Sequence, residues 1–203
     1  MNDLVLNAMR LAEYAHRTHY KDPVGQFRKA PDGEDRPAYF LHLSEVAWML
    51  NEAGCADETI AAGYLHDVIE DCEGWDKERL ANEIGSDAVV DLVDWVTEPG
   101  KDQMNNADRE APWEERNRAY IQRLADAPDA ALAISCADKT SNLRDMVRLT
   151  DKGHTLDAFL SRGHAQQLKK FTELDALFAG RVPETLLRRY REAFGRFQAI
   201  EAA

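Results

Sequence analysis

The chain lacks paired cysteines, a basic run and any long apolar stretch. Its three cysteines, Cys55, Cys72 and Cys136, stand far apart and form no C-x-x-C pair. An odd, scattered set argues against a disulfide framework or a thiolate zinc site, and reads as plain buried or half-buried thiols. No segment approaches the ~18 apolar residues of a membrane span. The N-terminus, Met1-Asn2-Asp3-Leu4, has no basic region ahead of an apolar run. Both absences point to a cytoplasmic protein with no membrane partner. Lys and Arg number 25 against 37 Asp and Glu, a formal charge of −12. Nucleic-acid binders carry a basic patch, so a nucleic-acid polymer is a poor partner. A small anionic ligand stays open, because a metal and a few placed cations can dominate a local site.

What is present is helical periodicity. Leu4, Ala8, Leu11, Ala12 and Ala15 share one stripe, and Val46, Met49, Leu50 and Ala53 another that Gly54 closes. Asp57 reads as the N-cap of a helix running to about Asp71. A short helix follows Trp75-Asp76 and stops at Gly85, and Ser86 caps the next. Residues 113–125, 129–149, 156–178 and 183–200 supply four more. No stretch alternates as a strand would. The 203 residues, 44% of them hydrophobic, fit one globular domain. The expected fold class is all-α, about eight to ten helices in a single domain over residues 1–203. Residues 183–203 are either part of its core or a helical appendage. Residues 21–37 and 98–112 are polar and rich in turn formers, and loops of that length are commonly functional.

The chemistry concentrates in His66-Asp67-Val68-Ile69-Glu70-Asp71. On a helix His66 stacks over Glu70 and Asp67 over Asp71. The small and apolar residues around them bury this helix, so its acids face an internal cleft. A solvated acidic face is the ordinary reading of an isolated Glu-Asp pair. Here three crowded carboxylates with apolar flanks need a cation, and a divalent metal is the simplest one. Further ligands must come from elsewhere. His42 sits in an apolar setting that also suits a core histidine, and Asp138 ends the small apolar run Ala133-Ile134-Ser135-Cys136-Ala137. Two histidines and two aspartates suit Mn²⁺, Fe²⁺ or Zn²⁺ with positions left for water.

His…His-Asp…Asp in this order resembles the HD phosphohydrolase superfamily, and most closely its alarmone-hydrolase branch of RelA/SpoT-type enzymes and their small stand-alone relatives. Three stretches carry the resemblance: Gln26-Phe27-Arg28-Lys29 with Pro37-Ala38-Tyr39-Phe40-Leu41-His42; Tyr64-Leu65-His66-Asp67-Val68-Ile69-Glu70-Asp71; and Ala137-Asp138-Lys139-Thr140-Ser141-Asn142-Leu143-Arg144-Asp145. Together they span about residues 8–150. An H-D pair alone is weak, whereas H-D-x-x-E-D with A-D-K-x-x-N-L-R is specific.

The resemblance implies a helical HD domain holding one divalent metal, typically Mn²⁺, on His42, His66, Asp67 and Asp138. It implies removal of the 3′-pyrophosphate from (p)ppGpp-type nucleotides by a metal-bound hydroxide. Glu70 and Asp71 match the catalytic acidic pair that orients water and moves protons. Arg28 and Lys29 match a basic pair meeting base and phosphate, Asn142 a contact near the ribose, and Lys101 a loop lysine near the phosphates. Lys139 and Arg144 read as ion-pair partners of the acidic helices, with further phosphate contacts as the alternative.

The chain departs from the family pattern in its longer loops at residues 30–36 and 98–112, in Ser141, and in the lack of a late tyrosine around residues 160–164. These departures leave guanine against adenine, (p)ppGpp against (p)ppApp, open. An HD-type phosphatase acting on a monophosphate ester and a non-catalytic nucleotide-binding module are the alternatives. A homo-oligomer is open as well. His16, His19, His154 and His164 read as surface histidines, Trp48 and Trp95 as core, and Trp75 and Trp113 as packing staples.

Overall fold

The structure is a computed structural model that describes residues 2–98, 113–159 and 163–200. It is all-α, with ten α-helices and one short 3₁₀ turn among the described residues. The first helix, α1 (Asp3–Thr18), begins where the Asn2 side chain accepts from the Val5 amide at 3.0 Å. Its stripe of Val5, Ala8, Ala12 and Ala15 is buried, and His16 falls on the same stripe. It is therefore a core histidine rather than a surface one.

The segment after α1 closes on itself. An isolated antiparallel bridge joins Phe27 to Ala38. The Arg28 amide donates to Pro37 O and the Tyr39 amide to Gln26 O, both at 2.9 Å. These bonds deliver the chain into α2 (Phe40–Glu52). A turn at Ala53 and Gly54, with φ +73 at the glycine, leads to α3 (Asp57–Leu65). Ala56, not Asp57, is the N-cap, and Asp57 lies in the first turn, where a negative charge also meets the helix dipole favourably.

The expected single helix to Asp71 is interrupted. α3 stops at Leu65, and α4 (Val68–Asp71) starts after His66 and Asp67. The cause is local: His66 Nδ1 donates to Gly63 O at 2.8 Å. An uninterrupted helix would give that carbonyl to the Asp67 amide.

Four helices follow: α5 (Lys77–Ile84), α6 (Asp87–Val96), α7 (Trp113–Asp126) and α8 (Asp129–Asp151). Asp76 and Ser86 cap α5 and α6 through their side chains. The 3₁₀ turn Leu156–Ala158, α9 (His164–Phe178) and α10 (Glu184–Gln198) complete the chain. Of these, α8 is central and touches α2, α3, α6, α9 and α10. Every residue from Ala131 to Asp138 is buried, as in a helix covered on all sides. α10 packs along α8 and buries Tyr190, Phe194 and Phe197, and the Tyr190 hydroxyl donates to Phe171 O at 2.6 Å.

Trp48 departs from expectation: it lies on the outer face of α2 and is 63% exposed. Trp95 is half-buried and Trp75 is buried, while the side chain of Trp113 lies outside the description. Cys72 and Cys136 are buried and Cys55 is half-buried, all of them free. None of the described helices is long and apolar enough to cross a membrane.

Helices α2 and α3 approach closely at Gly63. A Cβ there would lie 2.5 Å from Leu50 Cδ1 and 3.6 Å from Val46 Cγ1. A side chain there must displace the end of Leu50 and crowd the α2–α3 contact. Gly63→Val is expected to cost about 1–3 kcal/mol of stability through overpacking. Denaturant unfolding measures this, and an unchanged midpoint would contradict it.

Candidate active site and metal centre

Four side chains from three helical segments meet inside the bundle. His42 comes from α2, His66 and Asp67 from the break between α3 and α4, and Asp138 from α8. Possible ligand atoms of His42, His66 and Asp67 all lie within 4.8 Å of one another. Asp138 Oδ1 is 3.3 Å from His42 Nε2 and 3.8 Å from His66 Nε2. Asp67 Oδ2 is 3.1 Å from His66 Nε2 and 3.8 Å from His42 Nε2.

Hydrogen bonding sets the tautomers. His66 Nδ1 faces the Gly63 carbonyl, which only accepts, so Nδ1 carries the proton. His42 Nδ1 is 2.9 Å from Ser141 Oγ, and that hydroxyl donates its one proton to Glu45 Oε2 at 2.6 Å. Ser141 must therefore accept from His42 Nδ1–H. Both rings turn Nε2 toward the carboxylates, and neither Nε2 has a hydrogen-bond partner. Imidazole nitrogens facing carboxylate oxygens in a buried site call for positive charge between them, a proton on His66 or a cation. The donor set of two imidazole nitrogens and two carboxylates fits a divalent metal of borderline softness.

The charges respond to this crowding. Burial works against a charged His66, but Asp67 and Asp138 outweigh it and hold its pKa well above the imidazole value. Burial opposes the Asp67 and Asp138 carboxylates too. His66 pulls Asp67 below the carboxylate range, and Lys139 with the two histidines does the same for Asp138. Burial lowers His42. Tyr39 is pushed far up by burial and by Asp67, to whose Oδ2 its hydroxyl donates at 2.5 Å.

The metal cluster opens into a cleft of about 610 Å³ that Glu70 and Asp71 also line. Glu70 is buried and accepts from the Glu98 amide at 2.5 Å. Asp71 accepts from Gln26 Nε2 at 2.7 Å. Arg28 lines the cleft with its guanidinium held by Asp145 at 2.6 Å and by Asn142 Oδ1 at 2.9 Å. Asn142 in turn donates to Asp138 Oδ1 at 2.5 Å, so one chain of contacts links Arg28 to the metal cluster. Lys29 is exposed at the cleft. Lys139 pairs with Asp138 and Arg144 with Glu45, as ion-pair partners. Lys101 lies outside the described residues.

Some residues escaped the sequence reading. His16 is linked to Asp71 through Gln26, and the signal was there, since it extends the Ala8, Ala12, Ala15 stripe. His19 is half-buried between Tyr14 and Trp75. His154 reaches Glu34 of the long 30–36 loop at 3.1 Å, joined there by Lys152. His164 is half-buried, its Nε2 lying 3.1 Å from Phe197 O. Ser141 orients a candidate ligand, which nothing in its sequence neighbourhood signalled.

Two outcomes follow for metal binding. Ser141→Ala removes the acceptor that fixes His42 and is expected to weaken metal affinity about 10–100-fold, read by competition with a chromogenic chelator. Wild-type affinity in that variant would contradict the role of Ser141. Because His66 is held protonated between two carboxylates, its proton must leave as a metal arrives. Affinity should therefore fall as pH falls, with about one proton released per metal near neutral pH. Calorimetry in buffers of different ionisation heat measures this, and a pH-independent affinity without proton release would contradict it.

A family model described as "HD domain" matches residues 8–179. Human guanosine-3′,5′-bis(diphosphate) 3′-pyrophosphohydrolase MESH1 is 31% identical over 147 residues, 71% of this chain and 72% of the relative. The Vibrio cholerae enzyme called guanosine-3′,5′-bis(diphosphate) 3′-pyrophosphohydrolase is 37% identical over 123 residues. A Streptomyces coelicolor GTP pyrophosphokinase is 35% identical over 140. The chain spans only 17% and 15% of these two longer relatives. A solved metazoan ortholog of SpoT has the same fold, with a TM-score of 0.69 over 96% of both chains at 24% identity. A Listeria monocytogenes structure gives 0.64 at 25% identity, over 78% of this chain and 96% of the other. With the His42, His66-Asp67 and Asp138 constellation inside the matched span, the chain belongs to the HD-domain family.

Proposed function

We propose that the protein hydrolyses the 3′-pyrophosphate of an alarmone nucleotide, (p)ppGpp or (p)ppApp, with Mn²⁺ as its resident metal. The observation that carries this reading is the pairing of the four-residue metal cluster with Glu70 and Asp71 in one cleft. The human and Vibrio cholerae relatives named for that reaction support the choice of substrate class.

The site residues divide the work. His42, His66, Asp67 and Asp138 hold the ion, which when bound supplies Lewis acidity and makes water acidic near neutral pH. Glu70 and Asp71 orient the attacking water and take its proton. The water oxygen attacks the phosphorus attached to O3′, the P–O3′ bond breaks, and O3′ leaves with a proton as pyrophosphate departs. Asn142 and Arg28 meet the ribose and base side. Arg28, Met146, Leu149 and Phe159 line the same cleft, and a guanidinium plane can stack on either purine. Lys29 and the loop lysine Lys101 are assigned to phosphate oxygens. The reading places the protein in the cytoplasm, where its nucleotide substrate is found.

Purified, Mn²⁺-loaded protein is expected to release pyrophosphate from at least one of the two alarmones, and chelator should abolish the release. Glu70→Gln and Asp71→Asn should each lower kcat by about 10²-fold or more, with bound metal unchanged. Release of orthophosphate instead would favour the monophosphate-ester phosphatase. No turnover of either nucleotide would overturn the proposal.

A further inference from the structure

A buried chain of contacts runs from α1 to Asp71. His16 Nδ1 lies 2.5 Å from Gln26 Oε1, and Gln26 Nε2 donates to Asp71 Oδ2 at 2.7 Å. The order of donors is forced. An ionised carboxylate only accepts, so the Gln26 amide must turn its NH₂ toward Asp71. Its carbonyl then faces His16 and can only accept. His16 must therefore carry its proton on Nδ1. Burial lowers the His16 pKa, which keeps the ring neutral near pH 7, and its Nε2 is left without a hydrogen-bond partner.

The ring is also held by stacking. His16 lies against the Tyr39 ring, with centroids 5.1 Å apart and planes 23° from parallel. The Tyr39 hydroxyl in turn donates a hydrogen bond to Asp67 Oδ2. Backbone bonds lock the pieces together: the Gln26 amide donates to His16 O and the Tyr39 amide to Gln26 O, both at 2.9 Å. Gly25 permits this closure, with φ +92 and space for a Cβ only 3.3 Å from Arg17 Cα and O. One cassette thus steers a carboxylate on each side of the α4 turn, Asp67 among the metal ligands and Asp71 beside the cleft.

We propose that His16 and Gln26 are positioning residues for Asp71: His16, donating from Nδ1, fixes the Gln26 carboxamide, whose Nε2–H holds Asp71 Oδ2 and so sets how the carboxylate meets the attacking water. The inference rests on the reading of Asp71 as a proton acceptor in alarmone hydrolysis. The role is indirect, because neither residue needs to touch substrate. Aiming a proton acceptor affects the chemical step and not the grip on the nucleotide.

The test combines kinetics with a readout that needs no turnover. Gln26→Met keeps length and loses both hydrogen bonds, and His16→Phe keeps the stacked ring but loses the donor. Each is expected to lower kcat about 10–100-fold with KM within about threefold and with bound Mn²⁺ unchanged in the folded protein. His16→Asn keeps a donor near the Nδ1 position and should recover most of the loss. In an Asp71→Asn background, Gln26→Met should cost less than about twofold more, because the two act through one group. Long-range ¹H–¹⁵N spectra of the wild-type protein should show His16 neutral with the proton on Nδ1. Wild-type kcat in Gln26→Met, or a full further loss in the Asp71→Asn background, would overturn the relay. So would a His16 proton on Nε2. If the wild-type protein turns over neither alarmone, the proposed function fails by itself, and the His16 tautomer still decides the relay.

Discussion

The structure depends on one electrostatic problem placed at its centre. Two imidazole nitrogens without partners face two carboxylates inside a helical bundle. In water such groups would be solvated and independent. Buried, they are tolerable only with a cation among them, a proton at least and a divalent metal at best. Much of the surrounding geometry serves this arrangement. The helix breaks at His66 because its ring takes the Gly63 carbonyl, and the break lets Asp67 turn toward the histidines. Ser141 and Glu45 set the other ring. Tyr39 and Asn142 donate to the two aspartates.

The architecture supplies rigidity where the chemistry needs it. α8 is covered on several sides and carries Asp138, Lys139, Asn142 and Asp145 along its length. α2 and α3 approach closely at Gly63. Non-helical segments lie around these helices: the turn with Gln26, Arg28 and Lys29, and the 30–36 loop pinned by Glu34 to Lys152 and His154 just after α8. The formal charge of −12 is no obstacle to an anionic substrate. Lys29 is exposed at the cleft, and a divalent metal would add positive charge where an anion would sit.

The fold was legible because helical periodicity and caps repeat along the chain, and the all-α class follows from them. The candidate site was legible as residue types in order: His42, His66-Asp67 and Asp138 do converge, and Glu70 and Asp71 share their cleft. What escaped was set by tertiary contacts. A helix break caused by a side chain competing for one carbonyl leaves no trace in periodicity. The roles of Ser141 and Gln26 depend on partners 99 and 45 residues away in sequence. Trp48 was read inward because large aromatics usually are, yet α2 has more apolar side chains than the core can take on one face. His16 was legible in principle, from the stripe it extends.

In the proposed reaction water attacks phosphorus at the 3′ position and pyrophosphate leaves as one unit. Single turnover in ¹⁸O-enriched water with Mn²⁺-loaded protein follows the attacking oxygen. One ¹⁸O atom is expected in the released pyrophosphate and none in the nucleoside product. Label on the nucleotide's ribose oxygen, or label appearing in orthophosphate alone, would contradict it.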